Sequence, residues 1–190
     1  DTRGLKPALW AVSLSGKARR IADAPDEMRI QDVLPDGRIL AVRDYGREGF
    51  VCHTPDESGE RDLSWFNGSS LEVLSADGRI AVFGETRLAT SIYLRKTDGS
   101  AAVRLGNGYP EDLSPDGQWV LARTRSVPPT WSLIPVGPGE PRPLPPGNLT
   151  GRFEANFLPN GEGVVFGGAE PGHDRRIYVQ DLKGSLPRAI

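Results

Sequence analysis

Ser114-Pro115-Asp116-Gly117-Gln118, running into Trp119-Val120-Leu121-Ala122, is the stretch whose reading decides the fold. Asp and Gly tolerate positive φ, so an Asp-Gly pair between two apolar segments marks a tight hairpin turn. The phrase returns as Leu34-Pro35-Asp36-Gly37-Arg38, as Ser75-Ala76-Asp77-Gly78-Arg79 and as Leu158-Pro159-Asn160-Gly161-Glu162. Successive turn glycines are 41, 39 and 44 residues apart. A fixed period near 40 residues with strand-like flanks signals the blades of a β-propeller.

Working outward from the turns, the residues four before each glycine are Val33, Leu74, Leu113 and Phe157. The segments after them are near-continuous apolar runs: 39–42, 80–83, 119–122 and 163–166. An apolar run without alternation predicts a strand buried on both faces, as between neighbouring blades. Val42, Phe83, Ala122 and Phe166 are therefore expected between blades. A second hairpin follows, with an aromatic on its first strand (Tyr93, Trp131, Tyr178) and a glycine turn at Gly99, Gly139 and Gly184. The first unit carries a weaker copy in Phe50-Val51-Cys52-His53 and Arg61-Asp62-Leu63.

Four strands per unit make a blade. The whole of 1–190 thus reads as a single all-β propeller segment, with four complete four-stranded blades at 28–65, 69–106, 109–146 and 153–190. A half-blade hairpin at 7–22 precedes them. The reading predicts about 18 strands and no helix longer than two turns. Because the chain opens inside a blade, we expect it to be part of a longer propeller, a self-contained ring being the alternative. The open ends then predict self-association, or else irregular closure with the hairpin at 9–21 set against the blade at 153–190.

The bulk numbers narrow the function. Net charge is −2, which gives no basis for a nucleic-acid partner or an acidic membrane surface. No stretch approaches the roughly 18 apolar residues of a membrane helix. The 23 glycines and 17 prolines suit turns and short strands. One cysteine, Cys52, excludes an internal disulfide framework.

The string Arg176-Ile177-Tyr178-Val179-Gln180-Asp181-Leu182-Lys183-Gly184, together with the Ser-Pro-Asp-Gly turn, resembles the TolB-type propeller repeat. A longer series is similar to the propeller region of bacterial eukaryotic-like serine/threonine protein kinases. It comprises Asp62-Leu63-Ser64-Trp65, then 93–100, then Val103-Arg104-Leu105-Gly106, then 139–145. That resemblance implies a kinase and a membrane span ahead of an extracytoplasmic sensory propeller. No Gly-rich phosphate loop, His-Arg-Asp or Asp-Phe-Gly is present, so this chain itself reads as non-enzymatic. The alternative is a propeller attached to an enzyme, either a prolyl-oligopeptidase-type peptidase or a propeller lyase.

No catalytic, cofactor or metal site is read from the residues. With only His53 and His173, a multi-histidine metal centre is excluded, and Cys52-His53 are adjacent rather than at ligand spacing. No Gly-x-Ser-x-Gly elbow occurs. Asp36, Asp77, Asp116 and Asn160 are read as turn residues. Asp32, Glu72, Glu111, Asp112 and Glu154 stand near the starts of the inner strands. We read them as solvated or bonded to loop amides, the competing reading being an acidic ring around the axis. Loops at the end away from the Asp-Gly turns carry Tyr45, Arg47, Arg87, Arg123, Arg125, His173 and Arg175. These seven are the candidate binding residues, since loops on a rigid scaffold carry recognition and Arg and Tyr favour interfaces. The ligand, protein or small molecule, is left open.

Overall fold

Each of the four turns closes as its residues require. In the computed structural model, which describes residues 8–23, 28–43, 46–53, 59–85, 90–127 and 129–190, the turn glycines all adopt positive φ. The side-chain oxygen before each glycine accepts the amide two residues on. The distances are 3.0 Å for Asp36 and Arg38, 3.1 Å for Asp77 and Arg79, 3.0 Å for Asp116 and Gln118, and 3.1 Å for Asn160 and Glu162. The Ser75 and Ser114 hydroxyls donate to Asp77 and Asp116 and hold those carboxyls below the usual range, helped by the turn amides. The turn reading of these four residues is the observed one.

The turns organise 18 strands, and no helix occurs among the described residues. The chain divides into two units, Asp1–Arg47 and Glu48–Ile190. In the first, β1 (Ala8–Val12) pairs with β2 (Ala18–Asp23), and β3 (Met28–Val33) with β4 (Ile39–Arg43). The second opens with the hairpin β5 (Val51–His53) and β6 (Glu60–Asp62). Three antiparallel four-stranded sheets follow. They are β7 (Ser69–Leu74), β8 (Ile80–Glu85), β9 (Ser91–Lys96), β10 (Val103–Asn107); then β11 (Tyr109–Leu113), β12 (Trp119–Arg123), β13 (Trp131–Pro135), β14 (Arg142–Pro143); then β15 (Gly151–Phe157), β16 (Gly163–Ala169), β17 (Arg176–Asp181), β18 (Arg188–Ala189). In each sheet the strands lie side by side in chain order. This meander is the blade expected from the repeat.

The strands read as the blade at 28–65 fall into two separate hairpins, β3–β4 and β5–β6. The second of these strand pairs is only three residues long on each side, and β6 is the charged Glu60-Arg61-Asp62. Strands that short and polar add little to a ladder, because sheets draw stability from side-chain pairs along their length.

Every inner strand carries a β-bulge. In β3, β7 and β11 the extra residue is Gln31, Glu72 or Glu111, each six residues before its turn glycine. In β15 it is Glu154, one residue earlier, and Glu154 takes a φ of 34°. A bulge bends the strand and re-aims one side chain, so the repeat places a long polar side chain at a kink in each inner strand.

Packing separates equivalent positions. Leu74, Leu113 and Phe157 occupy the same register, each opposite the third residue after its turn glycine (Ala81, Val120 and Val164), whereas Val33 pairs one residue earlier, opposite Ile39. Only Leu113 and Phe157 are buried, whereas Leu74 is 53% exposed. Of the residues expected between blades, Phe83, Ala122 and Phe166 are buried, but Val42 is 54% exposed. Val42 lies on a two-stranded hairpin, which offers fewer neighbours than a four-stranded blade. One apolar cluster joins Val82 and Ile92 to Leu113, Val120, Ala122 and Ile134. Another joins Leu121, Trp131, Leu133 and Leu144 to Ala155, Phe157, Val164, Phe166 and Tyr178. Each cluster is the seam between two successive blades.

Candidate functional site

Antiparallel register places the start of each inner strand beside the end of the second strand, at the end opposite the Asp-Gly turn. Tyr109 pairs with Arg123, and Gly151 with Ala169. The loop arginines and the inner-strand carboxylates, which the sequence presents as separate sets, are thereby neighbours.

Glu111 and Arg123 make the centre of this end. Arg123 Nε donates to Glu111 Oε1 at 2.8 Å, and its guanidinium lies 4.9 Å over the Tyr109 ring. Burial raises the Glu111 carboxyl above the usual range despite the nearby Arg123 and a hydrogen bond from the Ala155 amide; the Glu72 charge adds in the same direction. Glu111 on β11 therefore senses β7 on one side and β15 on the other, bringing the inner strands of three successive blades to one group.

The last blade repeats the motif in another form. The Arg175 guanidinium lies 4.0 Å over the Phe153 ring. Tyr109 and Phe153 each stand eight residues before their turn glycine, so the two stacks occupy equivalent places. A groove of about 440 Å³ runs beside the second stack, lined by Phe153, Glu154, Asn156, Arg175, Arg176 and Ile177 among others. Glu170 accepts from Arg176, which lines the groove, and, at 2.9 Å, from the Tyr178 hydroxyl, which fixes the base of the loop.

The remaining candidates are placed as follows. His173 is exposed in the turn closed by its own amide donating to the Glu170 carbonyl at 3.2 Å. Arg125 is exposed in the loop after β12. Arg47 is exposed at the end of the first unit. Tyr45 and Arg87 lie outside the described residues. The structure thus brings Arg123 and Arg175 to equivalent aromatic seats, and leaves Arg125 and His173 on loop surface.

Most of the carboxylates have structural partners. Asp112 Oδ1 accepts the Leu113 amide at 2.8 Å, and Oδ2 accepts the Phe157 amide of the next inner strand at 2.7 Å. Asp32 accepts the Val33 amide at 2.7 Å. These two follow the reading of acids bonded to amides, and Asp112 is a staple between inner strands. Glu72 and Glu154 are exposed. Cys52 is a half-buried free thiol, and His53 Nδ1 lies 3.3 Å from the Gly59 carbonyl across the β5–β6 hairpin. Both belong to local structure.

Sequence reasoning missed the aromatic half of the site. Its signal was available: Tyr109 and Phe153 share one distance from the turn glycine. Chemically, a guanidinium laid on a ring keeps its N–H edge free for carboxylates or backbone carbonyls and gains from the ring's negative face.

No protein-family model and no curated protein sequence matches the chain. Solved structures do match its fold. TolB from Acinetobacter baumannii superposes with a TM-score of 0.61 at 16% identity, over 96% of this chain and 48% of that one. The chain thus spans about half the length of that protein. A TolB-like protein from Agrobacterium tumefaciens gives 0.63 at 16% identity, over 91% of this chain and 83% of that one. A prolyl endopeptidase gives 0.56 at 11% identity, over 86% of this chain and 29% of that one. At these identities the likeness is one of fold, and the fold is the TolB-type propeller.

Proposed function

We propose that the chain is a non-enzymatic binding module that takes its ligand at the loop end. The observation that carries this reading is the pair of arginine-on-aromatic stacks, Arg123 on Tyr109 and Arg175 on Phe153, repeated at equivalent places on two blades. Rigid aromatic seats reduce the entropy lost when a guanidinium is held for a partner, and Arg and Tyr recur as interface anchors. Phage-displayed peptides selected on the immobilised chain provide the test. Selected binders should lose at least tenfold in affinity with Arg123→Ala or Arg175→Ala, and keep it with Lys183→Ala on an Asp-Gly-end turn. Binders indifferent to both arginines would overturn the assignment. The same preparation is expected to show no hydrolase, kinase or lyase turnover; reproducible turnover abolished by one substitution such as His173→Ala would make it an enzyme.

A finer reading is the sensory propeller of a membrane-bound serine/threonine kinase, with an extracytoplasmic location. It is supported by the strings at 62–65, 93–100, 103–106 and 139–145. The prolyl endopeptidase likeness supports the competing reading of a propeller that accompanies a peptidase. The reading frame on either side of these 190 residues decides between them.

Self-association belongs to the same proposal. Ile177 on the last blade is 50% exposed and Trp10 on β1 is 56% exposed. Burying a large apolar side chain is worth about 1.5–3 kcal/mol, so a second copy is a favourable cover. Light scattering at low micromolar concentration should report a dimer or larger species, and Ile177→Lys should return it toward monomer. A strict monomer for the parent chain refutes this part.

A further inference from the structure

Arg152 on β15 is only 3% exposed, and it lies in the seam between the last two blades. Its Nη2 donates to the Pro145 carbonyl at 2.8 Å, and its guanidinium sits 5.1 Å over the Phe166 ring. Nε and Nη1 are buried with no hydrogen-bond partner. Gln180 reaches the same carbonyl: its Nε2 donates to Pro145 at 2.9 Å and to the Ser185 carbonyl at 2.7 Å, while its Oε1 is buried without a partner. The guanidinium and the amide therefore meet at one oxygen. Flipping the amide would not help, since Nε2 already serves two carbonyls. Trp131, edge-on to the same Phe166 ring at 6.2 Å, also buries an unpartnered Nε1–H.

The seam is thus rich in donors and carries a full positive charge. Guanidinium groups stay protonated in proteins. Burial pulls Arg152 down only to about 10, with no carboxylate contributing. Among the described residues none of the ion pairs involves Arg152. Water alone would satisfy N–H groups but leave the charge uncompensated, and a buried charge is costly unless paired. With Arg152 only 3% exposed, a compensating group there has to be small.

We propose that Arg152 and its surroundings between the third and fourth blades hold a small monovalent anion of halide size, which takes up the free N–H groups of Arg152. The site is independent of the loop-end binding site. Its role is to neutralise the seam, so that the last blade docks firmly only when the anion is present.

The probes are chloride and bromide on the full chain. At fixed ionic strength, replacing sodium gluconate by sodium chloride should raise the Tm, because a ligand of the native state stabilises it by mass action. Above the dissociation constant the rise should be roughly 3–5 °C per tenfold increase in chloride, given the usual shift per unit of stability at this chain length. Arg152→Met, which keeps the packing and removes the charge, should melt at one temperature in both salts. Crystals of the unaltered chain grown in sodium bromide should show an anomalous peak within hydrogen-bond reach of Arg152, and this measurement stands even if Arg152→Met does not fold. Coincident chloride and gluconate melts with no anomalous peak would mean water only and overturn the proposal. So would a chloride dependence that persists unchanged in Arg152→Met.

Discussion

Phe166→Ala and Phe83→Ala are each expected to cost about 3–5 kcal/mol, the range for buried aromatics truncated to alanine, while Val42→Ala stays within about 0.5 kcal/mol as surface changes do. The three residues stand at one place in the repeat, five after the turn glycine, so they separate packing from sequence position. Phe166 is 2% exposed and stacks on Tyr178, its cross-strand partner, at 5.9 Å and 16°. Phe83 is fully buried, stacks on its own partner Tyr93 at 5.6 Å and 18°, and meets the Phe50 ring at 5.2 Å. The same Phe–Tyr pair thus recurs in two blades. In the blade between them it is replaced by Ala122 and Ser132, where larger neighbours such as Ile134 and Val120 fill the seam. Truncation of either phenylalanine leaves a cavity between blades that rigid sheets close poorly. Denaturant melts measure all three variants. Equal losses at Phe166 and Val42 would show that burial is not what distinguishes these positions.

What the sequence could convey followed from local chemistry. Asp116-Gly117 and its three relatives dictate hairpins because few residues tolerate their backbone angles, and the apolar runs after them dictate buried strands. The fold was therefore legible to the level of strand count. The exposure of Val42 and Leu74 was not, because an apolar column states what a position prefers and not which neighbour arrives to cover it. The site was half legible. Arg123 and Arg175 are legible as loop-end cations, but the register that lays Arg123 beside Tyr109 is not: counting outward from Gly117 pairs Arg123 with Pro110, and only the bulge at Glu111 moves it to Tyr109. The bulges that aim Glu72 and Glu111 were hidden, since an inserted residue changes register without changing composition. Arg152 was the least legible. A charged residue on a strand reads as a solvent-facing one, and its burial follows only from the docking of two blades.

Gly108→Ala is expected to be the most damaging of the glycine substitutions, costing roughly 3 kcal/mol or more where Gly117→Ala costs about 1–2 kcal/mol, the price of a left-handed backbone for an L-residue. Gly117 has a φ of 69° and open space around the position its Cβ would take, so backbone strain is its whole penalty. Gly108 has a φ of 123°, and a Cβ there would lie 2.7 Å from the Arg123 carbonyl oxygen. That contact is with backbone, which cannot swing aside as a side chain does. Gly108 is also pinned from the other direction, since its amide donates to the Thr90 carbonyl at 3.0 Å. It links β10 to β11, one residue before Tyr109, so relief of the clash must push the end of β12 away from the start of β11. Arg123 would then leave the Tyr109 ring and the Glu111 carboxylate. The expected result is a double loss: a lower denaturation midpoint, and weaker binding of any peptide whose affinity depends on Arg123, with Arg175-dependent binding retained. Gly117→Ala, at the far end of the same hairpin, should lower the midpoint modestly and leave both kinds of binding intact. A Gly108→Ala chain as stable as Gly117→Ala, with Arg123-dependent binding unchanged, would show that the close approach of these two backbones is not what seats the arginine.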